Sequence, residues 1–454
     1  MWRTSDYTPV AAHAMARYFE DGGMRMARGS VFLPTIQTRV LGGGSVFNSA
    51  ICLPPQGFAL RRWEERNGLV GMDEASLRPY IDRAWSFMGV QPTPAAVQGP
   101  RNDLFALAAD RLGWSSEPIA RNVQGCDGAG VCIIGCPSGA KNSVDRRGIP
   151  ELLEAGGTVY TSLRVDKITF KGGKATGAEG WVVNTDTGAR LHRARIKAKV
   201  VVVSAGAVGT PALLQRSGLR RKAIGANLQF HPGTQLMALF DKPVYPWAGA
   251  TQGYHSLQFL DQGIKLETLW GSAELMAFRF PAYGARLKNL LGDYDKIAVW
   301  DAWVSGIDSV GSVRALPGGK VDIQYTIGDG DVLRMSEAMA KLTEMAFAAG
   351  GVGAITGVHG LPDVLRDPAD AKLFRQRQFK ADHFPMASNH VFGGMCMGAD
   401  EDLHATGNDQ RVYGTENVYV ADTGLFPESP GVNPMFPAMV LAERLADILV
   451  ARYG

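Results

Sequence analysis

The sequence has few cysteines, no long apolar run and no excess of charge of one sign. Five cysteines in 454 residues are an odd and sparse set, which argues against a disulfide framework and favours a reducing compartment. No run approaches the ~18 apolar residues of a membrane span. Lys plus Arg number 47 against 44 Asp plus Glu, so no basic surface for nucleic acid is expected. A soluble, cytoplasmic protein is predicted.

Length and local pattern predict an α/β (α+β) fold with an insertion. A chain of 454 residues exceeds what one core usually supports. Lys199–Val203 is a short β-branched run followed by a glycine turn at 204–209. Thr210 and Pro211 then suit the N-cap and first position of a helix. This strand, turn and helix predict a largely parallel sheet covered on both faces.

A second unit closes the chain. Asn417–Asp422 reads as a strand ending on a carboxylate, and a helix follows from Asn433-Pro434. Between about 230 and 385 the pattern changes to short alternating runs typical of antiparallel strands; the clearest are Ala298, Trp300, Ala302 and Val304, and Val321, Ile323 and Tyr325. The predicted division is 1–229 and 386–454 as two parts of one domain, with 230–385 as an inserted substrate domain.

Three segments offer positions for chemistry. The glycine run Gly42–Gly44 lets the backbone approach a flat ligand, although a tight turn is the simpler interpretation. His390 stands just before a glycine pair and has the pKa of a general base, but a lone histidine more often has a structural role. Asn433-Pro434 suits a helix start whose free N–H groups would stabilise an anion, or a plain N-cap.

Cys126, Cys132 and Cys136 lie within eleven residues. Reduced thiols lining a loop are the favoured interpretation, and no metal site is predicted, because structural zinc normally takes four ligands. An iron–sulfur cluster passing electrons to a partner and a disulfide are the alternatives.

Taken together and in this order, these segments resemble the glucose–methanol–choline (GMC) family of FAD-dependent oxidoreductases. The resemblance runs from about residue 30 to the C-terminus and is nearest to the cholesterol oxidase and long-chain alcohol oxidase branches. It rests on the following stretches: Gly42–Asn48, Gly135–Lys141, Gly206–Pro211 with Ser217-Gly218, Asn227–Pro232, and His390–Leu449 with Gly431–Pro434.

The resemblance implies an FAD-binding Rossmann-like domain and oxidation of a CH–OH group by hydride transfer to flavin N5. His390 would take the hydroxyl proton, and Asn433 would bond the substrate oxygen. The implied FAD contacts are Gly43, Gly44, Asn48, Ile51, Val165, Asp422, Thr423 and Met435. The electron acceptor would be O2 or another carrier. The substrate would be a small-molecule alcohol: apolar and sterol-like or long-chain, or a sugar. The apolar choice rests on Tyr245, Trp247, Trp270, Met276, Phe278, Phe280, Trp300 and Trp303.

Two departures from the family pattern matter. Phe47 stands where some members carry a histidine bonded to the flavin, so non-covalent FAD is expected. No G-x-G-x-x-G between a strand and a helix precedes Gly42, so the turn that cradles the pyrophosphate is missing from the expected βαβ unit. A late start of the sequence is the favoured explanation, ahead of a natural truncation or a partner chain that completes the flavin domain. Expressed from Met1, the chain is expected to bind FAD poorly; the alternative function is a catalytically silent binding protein.

Overall fold

The computed structural model describes residues 6–271, 273–277 and 279–454. Short strands and helices alternate along the chain. The strands are β1 (Met26–Gly29), β2 (Leu33–Pro34), β3 (Gln91–Pro92), β4 (Glu117–Pro118), β5 (Ala120–Arg121), β6 (Leu163–Lys171), β7 (Lys174–Val183), β8 (Arg190–Lys197), β9 (Val201–Val203), β10 (Ala226–Phe230), β11 (Gly233–Leu239), β12 (Tyr254–Ser256), β13 (Ile264–Thr268), β14 (Ile297–Val304), β15 (Val310–Ala315), β16 (Val321–Thr326), β17 (Gly353–Ile355), β18 (Val391–Phe392) and β19 (Val418–Val420).

Two helices, α9 and α11, are the longest among the described residues. The helices are α1 (Ala11–Tyr18), α2 (Gly57–Asn67), α3 (Glu74–Met88), α4 (Pro100–Arg111), α5 (Gly148–Glu154), α6 (Gly206–Arg216), α7 (Ala273–Ala277), α8 (Gly284–Gly292), α9 (Asp329–Ala348), α10 (Leu373–Gln376) and α11 (Met435–Tyr453). Within the described ranges, no helix is both long and apolar enough to cross a membrane.

Two six-stranded sheets form the body of the molecule, in the orders β18-β10-β15-β16-β1-β2 and β17-β11-β14-β13-β12-β4. The alternating runs predicted to be strands are β14 and β16, and both pair antiparallel with neighbours, which confirms that prediction. β10 ends at Phe230 and β11 begins at Gly233. His231-Pro232 therefore joins the two sheets.

The second sheet has two different faces. On one face Leu236, Ala298 and Trp300 enter the main core, which α9 covers. On the other face β11, β13 and β14 carry apolar residues at one end and polar residues at the other. The apolar end is a buried cluster of Met237, Leu239, Trp270, Met276, Phe280, Ile297, Val299 and Ile355. Of the residues that favoured an apolar substrate, Trp270, Met276, Phe280 and Trp300 are thus core residues; Tyr245 and Trp247 are about half exposed, and Phe278 lies outside the described residues.

The prediction of a largely parallel sheet covered on both faces is wrong: among the described residues β9 pairs in parallel with β19 alone, in a two-stranded sheet. In the part of the chain that the structure describes, β9 has no partner on its other edge. Val202 in this strand is 42% exposed, and Leu191 and Ile196 of β8 are also exposed. An open edge with apolar side chains is a surface on which another strand can pair.

The predicted start of α6 is wrong by about one turn. Thr210 and Pro211 lie inside the helix, which begins at Gly206 after the N-cap residue Ala205. The Asp422 carboxylate, just after β19, accepts hydrogen bonds from the Gly206 N–H at 2.9 Å and from the Thr210 hydroxyl at 2.5 Å. A residue distant in sequence therefore satisfies the helix start, which local capping rules do not reveal.

Candidate active site

His390 and His231 face each other because of strand register. β10 and β18 pair antiparallel with Phe230 opposite Val391, so the next residues along, His231 and His390, are opposite as well. Their Nδ1 atoms are 3.1 Å apart. His231 is 1% exposed, and its Nε2 lies 2.6 Å from the Ser429 hydroxyl. Its ring stacks on Trp303 with centroids 4.1 Å apart.

Asn433 completes this group, and its predicted role as an N-cap is wrong. α11 begins at Met435 after Pro434, without a side-chain cap. The Asn433 side chain points into the site instead. Its Nδ2 lies 3.3 Å from His390 Nε2, and its Oδ1 accepts a hydrogen bond from the Lys265 ammonium at 2.7 Å. The buried ammonium outcompetes the helix N–H groups for this oxygen because a charged donor forms the stronger bond.

Desolvation favours the neutral form of both histidines, of which His231 is buried and His390 partly buried. Desolvation lowers the pKa of His390 to about 4; Glu267 opposes the shift and Lys265 adds to it. The pKa of His231 is lowered well below its ordinary value by burial first, and then by His390 and Lys265. A neutral imidazole has a free lone pair. The lone pair of His390 is thus free across the physiological pH range.

A row of polar side chains lies beside this group on the second sheet. Register places Gln235 opposite Asp301, Asp301 opposite Glu267, and Glu267 opposite His255. Several of their buried atoms have no hydrogen-bond partner among the described residues: both amide atoms of Gln235, Asp301 Oδ1 and His255 Nδ1. Buried polar atoms are rarely left without a hydrogen bond. This polar row is therefore suited to bind water or polar groups of a ligand.

The glycine run adopts a conformation that only glycine takes easily. Gly42 and Gly43 have φ of +94° and +56°, and open space lies where a Cβ of Gly43 or Gly44 would stand. Lys141 fixes the end of the run by donating to the Asn48 carbonyl at 2.7 Å. Asn48 Nδ2 contacts Met435 Sδ at 2.8 Å, which joins the loop to the start of α11. The free backbone surface fits a flat ring system.

The other predicted cofactor residues lie away from the glycine run or use their side chains within the protein. Ile51 packs against Val432 in a small cluster. Val165 lies in β6 and packs against a second large hydrophobic cluster, separate from the main core. Asp422 caps α6, and the Thr423 hydroxyl donates to the Val391 carbonyl at 2.8 Å. Only backbone atoms of Asp422 and Thr423 are therefore readily available to a cofactor.

The three clustered cysteines line one small cavity together with Ala250. All five cysteines are reduced, and the described residues contain no group of His, Cys, Asp and Glu arranged to hold a metal ion. Cys132 Sγ accepts a hydrogen bond from Arg121 at 3.1 Å. Burial alone would raise the pKa of Cys132, but Arg121 and Lys141 outweigh burial and the pKa is lowered.

Sequence reasoning missed His231, Lys265, Glu267 and Ser429 as members of the site. His231 stands within a quoted family stretch, Asn227–Pro232, but received no role. Lys265 and Glu267 alternate with Ile264 and Leu266 in a strand that is buried throughout. Two charges on one face of a buried strand are a signal that pattern analysis can use, because unpaired buried charges are costly.

The chain is similar to known proteins over nearly its whole length. Residues 15–233 match the N-terminal domain of GMC oxidoreductases, and residues 308–442 match the C-terminal domain. An uncharacterized GMC-type oxidoreductase of Mycobacterium tuberculosis (strain H37Rv) is 33% identical over 99% of this chain and 71% of its own. A long-chain-alcohol oxidase of Arabidopsis thaliana is 24% identical over 98% of this chain and 62% of its own.

A solved structure shares the fold at low sequence identity. Pyridoxine 4-oxidase from Mesorbium loti superposes with a TM-score of 0.69 at 17% identity, covering 98% of this chain and 92% of its own. This likeness supports the mixed α/β architecture described above. With the family matches to both halves, it leads to one conclusion: the chain belongs to the GMC oxidoreductase family.

Proposed function

We propose that the protein binds FAD and oxidises a CH–OH group of an alcohol to a carbonyl. The observation that carries the proposal is the meeting of Asn433 Nδ2 and His390 Nε2 at 3.3 Å. A hydroxyl both donates and accepts a hydrogen bond, so an alcohol can take its place between an amide N–H and an imidazole nitrogen. The resemblance to GMC enzymes and the family matches support this class of reaction.

Each residue has a distinct task in this proposal. His390, whose neutral form desolvation favours, takes the hydroxyl proton. The Asn433 amide N–H holds the substrate oxygen and stabilises the negative charge that develops on it. When bound, FAD supplies the acceptor for the hydride. The network of His231 and Ser429 holds the His390 ring in place, which general-base catalysis requires.

The residues present fit the ring end of FAD. Gly43 and Gly44 leave an open backbone surface, and the N–H groups at the start of α11 provide a positive dipole end for a reduced flavin. We propose further that an additional strand and helix bind the pyrophosphate, and that this strand pairs with the open edge of β9. A longer chain or a partner would supply this segment. Adding such a segment should raise FAD affinity; unchanged affinity would contradict the pairing.

The substrate we favour carries a second polar group, as a sugar or a diol does. The polar row of Gln235, Asp301, Glu267 and His255 has unpartnered buried atoms, and Lys265 connects it to Asn433. A purely apolar alcohol would leave these atoms unsatisfied, which costs about 1–3 kcal/mol for each group. Anaerobic flavin reduction by matched alkanols and polyols distinguishes the two classes.

The central experiment uses flavin-loaded protein and the variant His390→Ala. General-base assistance is worth about 10² to 10⁴ in rate, so FAD should remain bound while alcohol-dependent flavin reduction falls by that factor. His359→Ala, at an exposed histidine, is the matched control. Near-normal reduction by His390→Ala would show that another group accepts the proton.

A further inference from the structure

Lys265 is a buried cation that the proposed reaction does not yet use. It lies in β13, is 0% exposed, and stands opposite Trp303 of β14. Its ammonium forms an ion pair with the Glu267 carboxylate and donates to Asn433 Oδ1 at 2.7 Å. Burying a lysine is costly even when it is paired. Its position one hydrogen bond from Asn433 therefore calls for a functional reason.

The chemistry of lysine gives this hydrogen-bond network a direction, because it determines which group donates and which accepts in each bond. An ammonium group has donors only, so the atom of the Asn433 amide that meets Lys265 must be the oxygen. The amide nitrogen then faces His390 Nε2. Because an amide nitrogen only donates, His390 Nε2 must carry the lone pair. We propose that Lys265 is a positioning residue that fixes the Asn433 amide and, through it, the tautomer in which His390 Nε2 is the basic atom.

The opposite end of the network agrees with this direction. A neutral His390 with its lone pair on Nε2 carries its proton on Nδ1, which can donate to His231 Nδ1 at 3.1 Å. His231 then carries its proton on Nε2 and donates to the Ser429 hydroxyl at 2.6 Å. That hydroxyl oxygen also accepts from the Gly431 N–H at 3.2 Å. Every bond from Lys265 to Ser429 thus has one donor and one acceptor.

Reversing the Asn433 amide would undo the site. Its oxygen would then face His390 Nε2 and favour a proton there, leaving no base toward the substrate hydroxyl. Its nitrogen would meet the Lys265 ammonium, which cannot accept a hydrogen bond. The inference rests on the proposed function for the role of Nε2, but the tautomer itself is a property of the folded chain. It can therefore be measured without flavin or substrate.

The first test is the tautomer in the full chain, measured by NMR of protein labelled with 15N-histidine. The variant His390→Gln identifies the His390 signals by their loss. We expect Nε2 without a proton and Nδ1 with one in the unmodified protein. The opposite tautomer in the unmodified protein would overturn the proposal before any variant of Lys265 is made.

The second test removes the lysine without leaving a lone buried carboxylate. In Lys265→Met with Glu267→Gln, the two charges disappear together, so folding should be retained. We expect His390 to show both tautomers in this double variant. Lys341→Met is the matched control, because Lys341 is also nearly buried and paired with a glutamate, Glu337 at 3.0 Å. A double variant that keeps the single tautomer of the unmodified protein would refute the role of Lys265.

Kinetics separate this inference from the proposed function. In flavin-loaded protein the double variant should have a kcat/KM about 10²-fold below that of the unmodified protein, the cost typical of a misplaced reacting group. Lys265→Arg keeps a hydrogen-bond donor, so its kcat/KM should lie between those of the double variant and the unmodified protein. If His390→Ala leaves the reaction intact while the tautomer still changes in the double variant, the base assignment fails and the positioning role stands. If the tautomer is unchanged in the double variant while His390→Ala loses the reaction, the positioning role of Lys265 fails and the base assignment stands.

Discussion

Acidification should destabilise the protein through His231, which is buried, and His390, which is partly buried. In the unfolded chain each histidine binds a proton below about pH 6.5. In the folded protein the pKa of His390 is lowered to about 4, by burial above all, and that of His231 is also lowered well below its ordinary value. Between pH 6.5 and 4 the unfolded state therefore binds more protons, and the free energy of unfolding falls as the pH falls.

The magnitude follows from the lowered pKa. A change from about 6.5 to about 4 corresponds to about 3 kcal/mol for His390 as an upper bound, since each pH unit is worth about 1.4 kcal/mol. This stability is fully present above pH 6.5 and is lost on acidification toward pH 4. Replacing His390 with glutamine removes its share.

Urea unfolding followed by tryptophan fluorescence at several pH values between 7 and 4.5 measures the effect. On acidification His390→Gln should lose about 2–3 kcal/mol less than the unmodified protein. His192→Gln, at an exposed histidine of β8, should follow the unmodified protein. Parallel curves for His390→Gln and the unmodified protein would refute the lowered pKa of His390.

Three further predictions concern the site and the cysteine loop. Asn433→Asp replaces the donor at His390 Nε2 with a carboxylate, so the His390 pKa should rise and the pH profile of flavin reduction should move upward; an unmoved profile argues against this contact. Cys132, whose pKa is lowered, should react with iodoacetamide faster than Cys52, whose pKa burial raises to about 12; mass spectrometry of the labelled peptides decides, and equal rates would contradict the roles of the neighbouring cations. Gly44→Val should weaken FAD binding in a fluorescence titration with little change in melting temperature, because its side chain enters open space; unaltered affinity would place the flavin elsewhere.

Local patterns predicted the elements whose residues decide their own structure. The alternation in β14 and β16 was enough to predict strands, and the helix expected after Asn433-Pro434 is α11. The family resemblance agreed with the fold class that length and local pattern predicted, and it supplied His390 and Asn433 as a pair and FAD as the cofactor. These features depend on short stretches of sequence, and short-range patterns record them well.

The tertiary structure alone decided how the site works. The register of β10 and β18 places His231 against His390, and Lys265 reaches Asn433 across 168 positions of sequence. The same distant contacts overturned two local predictions, since Asp422 caps α6 and Lys265 draws Asn433 away from the start of α11. A cap or a tautomer is set by whichever partner offers the strongest hydrogen bond. For these residues that partner comes from another strand, where no local rule applies.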